Sequence, residues 1–326
     1  MTDTILVTDF DFPDLEIERG VTEDANVELA SADAETADEV IEAAREVDAD
    51  ALLVQYAPID RTVLETLDVA AVGRYGIGVD AVDLEAAADE GVAVVNVPDY
   101  CQDEVATHTV ALLFACVRRT SLYDRAIAEG TWDWTVGAPI HRLAGKTLGF
   151  AAFGSIPRRI AERLSGFDLE FVAYDPYRSA AELAEHGVET VSFDGLLERS
   201  DIVSVHTPLT EETRGLFDAE AFAAMGDDAV VLNTARGAVV DDEALATALE
   251  DDELAAAGLD VLPNEPPEDS PLVGRDDAVC TPHVAWYSEE SIVDLRETVA
   301  RDVARVLNGE RPENPVTGDG PNDSNN

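Results

Sequence analysis

Lysine is almost absent from this chain of 326 residues. Lys146 is the single lysine, and Lys and Arg together number 21 against 69 acidic residues, so the formal net charge is −48 at pH 7. Binding to a nucleic-acid backbone needs clustered Lys and Arg that displace counterions. We therefore expect no direct nucleic-acid partner for this protein.

Cysteine and long apolar runs are scarce as well. The three cysteines, Cys101, Cys116 and Cys280, are odd in number and have no CxxC spacing, which favours a reducing compartment and predicts no metal site. No apolar stretch approaches the roughly 18 residues of a membrane span, and the first residues lead directly into a strand-like Ile-Leu-Val at 5–7. We expect a cytoplasmic protein that is neither membrane-bound nor exported.

Apolar residues are plentiful, at 46% of the chain, which is enough to build a core in each of two domains of ordinary size. The acids therefore cover a packed surface rather than mark a disordered chain. Their mutual repulsion would be relieved in molar salt, where the screening length falls to about 3 Å. The composition is typical of a protein from a halophile.

Two regions alternate short apolar strand patterns with Ala- and Glu-rich helical patterns, which indicates parallel sheets. The first covers 4–97 and the second begins at Thr147, where the order of strands and helices is that of a doubly wound dinucleotide-binding domain. The fold class predicted is α/β with two Rossmann-like parallel-sheet domains, the cofactor domain being inserted in a discontinuous substrate domain. The predicted boundaries are 1–98 with 287–310 for the substrate domain, 99–286 for the dinucleotide-binding domain, and 311–326 for a disordered tail.

Three segments supply the residues of a candidate catalytic site. They are Asn-Thr-Ala-Arg-Gly at 233–237, which contains Arg236, the segment 259–266, which contains Glu265, and Thr-Pro-His at 281–283, which ends at His283. An arginine can hold a carboxylate by two parallel bonds, and a histidine backed by a carboxylate can exchange a proton with a hydroxyl or carbonyl group. These are the two tasks needed to interconvert a 2-hydroxy acid and a 2-oxo acid. Taken singly, the arginine could be a solvated loop charge and the histidine a structural group.

The surroundings of these segments resemble the D-isomer-specific 2-hydroxyacid dehydrogenase family from about Ala51 to Arg305. The resemblance includes Arg-Tyr-Gly-Ile-Gly-Val-Asp at 74–80, Asn-Val-Pro-Asp-Tyr-Cys at 96–101 and Tyr-Asp-Pro-Tyr at 174–177. The segment 283–290, His-Val-Ala-Trp-Tyr-Ser-Glu-Glu, is similar to the branch that contains the C-terminal-binding proteins. That branch includes both dehydrogenases and NAD-sensing transcriptional co-regulators.

The resemblance implies an NAD-dependent oxidoreductase that acts on a small D-2-hydroxy acid, with Arg236, Glu265 and His283 as catalytic residues and a homodimer as the assembly. Substrate would be bound by Arg236 and by the turn at Arg74, Gly76 and Ile77, although the glycines of that turn could also be only a tight strand exit. The residues that would line phosphate, ribose and nicotinamide are Thr109, His206, Pro208, Thr234, Ala235, Asp260 and His283.

The expected pyrophosphate-binding turn departs from the GxGxxG pattern, because its three glycine positions hold Ala152, Gly154 and Pro157. The middle glycine, which lets the backbone approach the pyrophosphate, is retained, and Ser155 and Ile156 follow it. Asp175 ends the next strand, where it would bind the ribose hydroxyls and oppose a 2′-phosphate. Arg178 could soften that opposition. The alternative is a turn that no longer binds a dinucleotide.

Two other functions remain open at this point. One is an NAD(H)-sensing co-regulator with little turnover, and the other is a 3-phosphoglycerate dehydrogenase. Tyr56 and Trp286 are candidate pocket walls that could equally be packing residues. His108, His141 and His186 are interpreted as structural. The side chain that the substrate carries beyond C2 is not determined by these patterns.

Overall fold

The computed structural model describes residues 2–317, which form two compact α/β units. One unit consists of 2–100 and 288–317, and the other of 101–287, so the second unit interrupts the sequence of the first. The predicted fold class is confirmed, since each unit contains a sheet built from parallel strands.

The chain begins with nine elements of the first unit, β1 (Thr4–Val7), α1 (Glu16–Ala25), β2 (Glu28–Ser31), α2 (Ala37–Glu46), β3 (Ala51–Val54), α3 (Arg61–Thr66), β4 (Ala71–Arg74), α4 (Leu84–Glu90) and β5 (Ala93–Val95). The second unit follows, with α5 (Gln102–Arg118), α6 (Thr120–Ala128), β6 (Thr147–Ala151), α7 (Ser155–Arg163), β7 (Glu170–Tyr174), α8 (Ala180–Ala184), β8 (Glu189–Thr190), α9 (Phe193–Arg199), β9 (Ile202–Val205), α10 (Ala219–Ala223), β10 (Val230–Asn233), α11 (Asp242–Glu250), β11 (Ala256–Leu259) and β12 (Ala278–Cys280). The chain returns to the first unit with α12 (Glu289–Leu307) and β13 (Pro315–Thr317).

Acidic and hydroxyl side chains begin many of these helices. Asp60, Asp83 and Asp241 each accept a hydrogen bond from a backbone N–H in the first turn of the helix that follows. Ser179 and Glu182 form a reciprocal capping box at α8. These contacts satisfy N–H groups that a helix leaves unpaired at its start. Some of the many acidic side chains therefore cap helices and help to define the residue at which each of these helices begins.

The first sheet has the strand order β13-β5-β4-β3-β1-β2, and all of its strands are parallel except β13. Strand β3 is buried along its whole length, because one apolar cluster covers each face of the sheet. Such double coverage explains the continuous apolar runs that the sequence shows at its strands. The strand order reverses between β1 and β3.

The prediction of a disordered tail from residue 311 is wrong for the residues that the structure describes. Pro315–Thr317 forms β13, which pairs with β5. The carboxylate of Asp302 on α12 accepts hydrogen bonds from the amides of Glu313 and Asn314, at 2.8 and 2.9 Å. Strand β5 is distant from β13 in the sequence, so the polar composition of the segment did not indicate that the two strands pair. The remainder of that predicted tail, 318–326, lies outside the described residues.

The second sheet has the order β12-β11-β10-β9-β6-β7-β8, with every strand parallel to its neighbours. Its order reverses between β6 and β9. In a doubly wound sheet, ligands bind beyond the carboxyl ends of the strands at such a reversal. Gly154 follows β6 and His206 follows β9, so both residues stand at that position.

The segment from Gln102 to Ala128 forms two helices rather than one. Helix α5 ends at Arg118 and α6 begins at Thr120, with Arg119 between them in the left-handed region at φ 54°. The guanidinium of Arg119 donates to the carbonyl of Ala255 at 2.8 Å, a contact made with a residue far along the chain. Apolar periodicity alone did not reveal the break. Within 2–317, no helix is long and apolar enough to cross a membrane.

Candidate active site

His283 and Glu265 form a directly bonded pair in the second unit. Nδ1 of His283 lies 2.6 Å from Oε2 of Glu265, and both side chains are partly exposed, at 46% and 37%. Because an ionised carboxylate only accepts, Nδ1 is the protonated nitrogen in this bond. Nε2 is thereby the ring nitrogen available to a reacting group.

The environment of Glu265 favours its ionised form. Burial opposes ionisation, but the bond and charge of His283, the amide of Leu262 and the charge of Arg236 together hold the pKa of the Glu265 carboxyl below its usual value. The Leu262 amide donates to Oε1 at 3.0 Å, which leaves Oε2 for the histidine. A carboxylate held in this way can orient His283 and stabilise its protonated form.

Arg236 stands on a turn that a buried asparagine shapes. Oδ1 of Asn233 accepts from the amide of Ala235 and its Nδ2 donates to the carbonyl of Arg236, each at 3.0 Å. The next residue, Gly237, leaves no room for a side chain, since a Cβ there would lie 2.0 Å from the carbonyl carbon of Leu262. This close backbone approach joins the Arg236 turn to the segment that carries Glu265.

The segment that contains His283 is held by Asp260. Both oxygens of the buried Asp260 carboxylate accept backbone amides, Oδ1 from Val284 at 3.0 Å and Oδ2 from Ala285 at 2.9 Å. The hydroxyl of Thr281 also donates to Oδ1, at 2.6 Å. The three segments singled out in the sequence are thus brought together within this unit, through Gly237 and Asp260.

The turn between β6 and α7 has the form that a pyrophosphate-binding turn needs. Ala152 adopts the left-handed region at φ 71°, and Gly154 is the residue that precedes the helix. A Cβ at Gly154 would meet nothing within 4 Å, so the backbone is open to a ligand there. Ser155 and Ile156 are the first helical residues, and their N–H groups belong to the set that a helix leaves without internal partners. The missing N–H of Pro157 falls in this first turn.

Asp175 follows β7 and its side chain is almost completely buried. Its oxygens accept hydrogen bonds from the amides of Phe153 and Tyr177, both at 2.9 Å. The first of these bonds ties Asp175 to the turn after β6. Arg178 lies close by, with Nε 3.8 Å from Oδ2 of Asp175, and its guanidinium also approaches Glu182.

Four other predicted cofactor residues lie on α5 and on the loops that follow β9 and β10 in the same unit. The hydroxyls of Thr109 on α5 and Thr234 after β10 are 2.9 Å apart. His206 contacts Ser204 at 2.8 Å, and burial lowers the pKa of His206 to about 3, so its ring is neutral at neutral pH. The carbonyl of Pro208 accepts from the hydroxyl of Thr213.

The predicted carboxylate-binding turn belongs to the first unit and follows β4. Gly76 has φ 146°, and the guanidinium of Arg74 occupies the space that a Cβ at Gly76 would need. The carbonyl of Ile77 accepts from Nδ2 of Asn96 at 2.6 Å. Tyr56 is exposed, with its hydroxyl 3.2 Å from a carboxylate oxygen of Asp11.

Sequence reasoning missed four residues of the second unit that shape this region. Asn233, Gly237 and Thr281 lie inside the motifs but were given no role, and His108, interpreted as structural, contacts Thr281. The only signal available for Asn233 and Thr281 was that each is a polar residue two or three positions before a candidate catalytic residue. Within 2–317, no group of three or more His, Cys, Asp or Glu side chains could hold a metal ion.

Comparison with known proteins identifies the family. A family model described as "D-isomer specific 2-hydroxyacid dehydrogenase, NAD binding domain" matches residues 110–285, more than half of the chain. The chain belongs to this family. Residues 110–285 are its NAD-binding domain, which agrees with the strand reversal and the open turn at Gly154.

Three relatives illustrate the range of proteins to which this chain is similar. The chain is 38% identical to a glyoxylate reductase of Korarchaeum cryptofilum over 79% of this chain and 80% of that protein. It is 40% identical to a D-3-phosphoglycerate dehydrogenase of Mycobacterium tuberculosis over 87% of this chain and 54% of that protein. The structure of a D-lactate dehydrogenase from Aquifex aeolicus, complexed with NAD and lactic acid, is 25% identical with a TM-score of 0.86 and covers 96% of this chain and 99% of that one.

The chain spans about half the length of the D-3-phosphoglycerate dehydrogenases that it matches. The family and its NAD-binding domain are therefore established for the part of the chain that these relatives share.

Proposed function

We propose that this protein is an NAD-linked oxidoreductase that interconverts a small D-2-hydroxy acid and the corresponding 2-oxo acid. The observation that carries the proposal is the 2.6 Å bond between His283 and Glu265, beside the Arg236 turn. These residues supply a proton-exchanging ring, a carboxylate that orients it, and a guanidinium suited to a substrate carboxylate.

The proposed roles follow from the protonation of the pair. When the hydroxy acid is oxidised, Nε2 of His283 accepts the hydroxyl proton, and the positive charge that forms on the ring is stabilised by Glu265. Arg236 holds the substrate carboxylate, which fixes the position of C2. NAD, when bound, supplies the acceptor for the hydride that leaves C2. In the reverse direction His283 returns the proton to the carbonyl oxygen.

The residues proposed to hold NAD fit its chemistry. The open N-terminus of α7 at Gly154, Ser155 and Ile156 suits a pyrophosphate, with Ala152 making the preceding turn. Asp175 suits the ribose hydroxyls. The remaining lining residues in the proposal are Thr109, His206, Pro208, Thr234, Ala235, Asp260 and His283. In the first unit, Arg74, Gly76 and Ile77 are proposed to contact the substrate carboxylate, supported by the family resemblance of the turn.

The test is an absorbance assay at 340 nm in molar KCl with NADH and a panel of 2-oxo acids. The panel contains glyoxylate, pyruvate, hydroxypyruvate and 3-phosphohydroxypyruvate. We expect turnover of at least one unphosphorylated 2-oxo acid. Binding of NADH without turnover of any of them would contradict the proposal and would favour the NAD(H)-sensing co-regulator.

A 3-phosphoglycerate dehydrogenase is the second candidate. It is favoured by the 36–40% identity to D-3-phosphoglycerate dehydrogenases over most of this chain. The same panel separates the two candidates, since preference for 3-phosphohydroxypyruvate would identify the second.

The proposed placement near the C-terminal-binding-protein branch is supported by the segment 283–290.

A homodimer in the cytoplasm of a halophile is the proposed state of the protein. Three large apolar side chains in the segment 127–134 are exposed, with Trp132 90% exposed, Trp134 76% and Ile127 54%. Exposed apolar surface of this kind supports a protein contact when it forms a patch. Sedimentation velocity in molar KCl measures the mass, and a mass of one chain would contradict the dimer.

The charge of −48 predicts that the protein depends on salt. Dialysis from about 1 M to about 0.01 M KCl lengthens the screening distance from roughly 3 to 30 Å, so repulsion between surface carboxylates increases. We expect activity to be lost together with unfolding or dissociation, followed by circular dichroism and sedimentation. An unchanged melting temperature and an unchanged mass over this range of salt would show that repulsion between the surface carboxylates does not destabilise the protein.

Asp175 is expected to give a preference for NAD(H) over NADP(H). Its carboxylate would oppose a 2′-phosphate by about 1 kcal/mol in an open site at molar salt and by more in a water-poor one. Arg178, 3.8 Å away, reduces this preference. Asp175→Ala should therefore raise kcat/KM for NADPH relative to NADH, measured beside the exposed control Asp194→Ala. Equal use of both cofactors by the wild type would refute the assignment.

A further inference from the structure

A polar cluster contacts the segment that carries His283. Its centre is the Asp260 carboxylate, which is 2% exposed and accepts the Thr281 hydroxyl at 2.6 Å and the amides of Val284 and Ala285 at 3.0 and 2.9 Å. Three donors on both sides of His283 thus converge on a single carboxylate. Most of the hydrogen-bonding capacity of Asp260 is used within the protein.

The backbone of His283 lies in the left-handed region, at φ 50°. A residue with a side chain is rare there and persists only when its surroundings hold it. The amide of His283 donates to the carbonyl of Asp260 at 2.8 Å, and the amides of the next two residues donate to the Asp260 side chain. Asp260 therefore holds the conformation from which the His283 ring reaches Glu265.

The Thr281 hydroxyl connects this arrangement to helix α5. Because the hydroxyl donates to Asp260, its oxygen is free to accept from Nε2 of His108, which lies 2.9 Å away. Nε2 of His108 is also 3.5 Å from Oδ1 of Asp260. These contacts assign the Nε2-protonated form to His108. The same helix carries Thr109, whose hydroxyl meets Thr234 close to the Arg236 turn.

We infer that Thr281 and His108 are positioning residues that act through Asp260 to keep His283 in the geometry for proton transfer. The inference rests on the proposed function of His283. Neither residue needs to touch substrate or cofactor. Loss of the Thr281 hydroxyl would release one of the donors that orient the Asp260 carboxylate, and the segment 283–285 would relax from its strained conformation.

The experiment compares Thr281→Val, which removes the hydroxyl, with Thr281→Ser, which keeps it. We expect kcat to fall roughly tenfold or more in the valine variant, because small displacements of a catalytic group reduce rates strongly. The serine variant should retain most of the activity, and the NADH dissociation constant from fluorescence titration should change less than about twofold in both. His108→Leu, which removes the other end of the same bond, should reproduce the loss of kcat.

Thr247→Val is the matched control, since the Thr247 hydroxyl donates to the carbonyl of Glu243 at 2.8 Å within α11 and is not one of the donors to Asp260 described above. Unchanged kcat in both Thr281→Val and His108→Leu would overturn the inference. So would a loss in the serine variant as large as in the valine variant, or weakening of NADH binding that accounts for the whole loss.

If the wild type reduces no 2-oxo acid, the proposed function fails and the structural part is decided separately. Crystal structures of the wild type and of Thr281→Val then give the answer. Departure of His283 from positive φ, or loss of its bond to Glu265, supports the positioning role. Unchanged geometry at both places refutes it.

Discussion

Replacing His283 with alanine is expected to lower kcat by about a hundredfold or more. Within the Glu265–His283 pair, Nε2 of the imidazole is the atom proposed to exchange a proton with the substrate. Alanine provides no group that could replace it. The affinity for NADH should stay nearly intact, because the backbone bonds of residues 283–285 to Asp260 do not involve the imidazole. The measurement is steady-state kinetics in molar KCl together with a fluorescence titration of NADH.

His141→Ala is the control for this experiment. His141 is exposed on the same unit, with Nε2 3.5 Å from Oδ1 of Asp228, and it belongs to none of the three motif segments. The control should retain wild-type kcat. Turnover of His283→Ala close to that of the wild type would exclude His283 as the acid/base and would leave its bond to Glu265 with a structural role.

Replacing Arg296 with methionine is expected to destabilise the first unit by about 3–5 kcal/mol. Arg296 on α12 and Glu18 on α1 are both buried and form two bonds, from Nε at 2.8 Å and from Nη2 at 2.6 Å. The guanidinium also covers the ring of Phe12 at 4.9 Å, and Glu18 accepts the hydroxyl of Tyr75. Without Arg296, the Glu18 carboxylate would remain buried without its counter-charge.

Thermal and denaturant unfolding in molar KCl measure this effect, with Arg301→Met as the matched control. Arg301 lies on the same helix and forms an exposed pair with Glu297, so its loss should cost less than about 1 kcal/mol. The double variant Arg296→Met/Glu18→Leu should recover much of the loss, since it removes both charges. Equal stability losses for the Arg296 and Arg301 variants would show that burial does not distinguish the two pairs.

Several parts of the fold could be predicted from local patterns. The apolar strand patterns within 4–97 and from Thr147 onward predicted parallel sheets, and the strands β3 and β6 form within these regions. Such strands can be recognised from the local sequence, because a strand that helices cover on both faces of a parallel sheet consists mostly of apolar residues. The break at Arg119 and the strand at Pro315–Thr317 could not be predicted, since each depends on a partner far along the chain, Ala255 in one case and strand β5 in the other.

The candidate site shows the same division. The order of Arg236, Glu265 and His283 and their flanking residues were sufficient to propose their chemistry, because residue type and chain order carry that information. Their mutual placement was not contained in any one segment. It results from the backbone of Leu262 packed on Gly237 and from the Asp260 carboxylate bound to residues 281–285.

Composition and motif order therefore define the family, the acidic surface and the identity of the proposed reacting groups, since these depend on which side chains are present. The geometry depends on contacts between distant segments. Whether His283 reaches Glu265, whether Thr281 and His108 support it, and whether the Ala152 turn stays open at Gly154 are set by long-range hydrogen bonds and close backbone approach. Such contacts form only when the sheet brings the ends of its strands together.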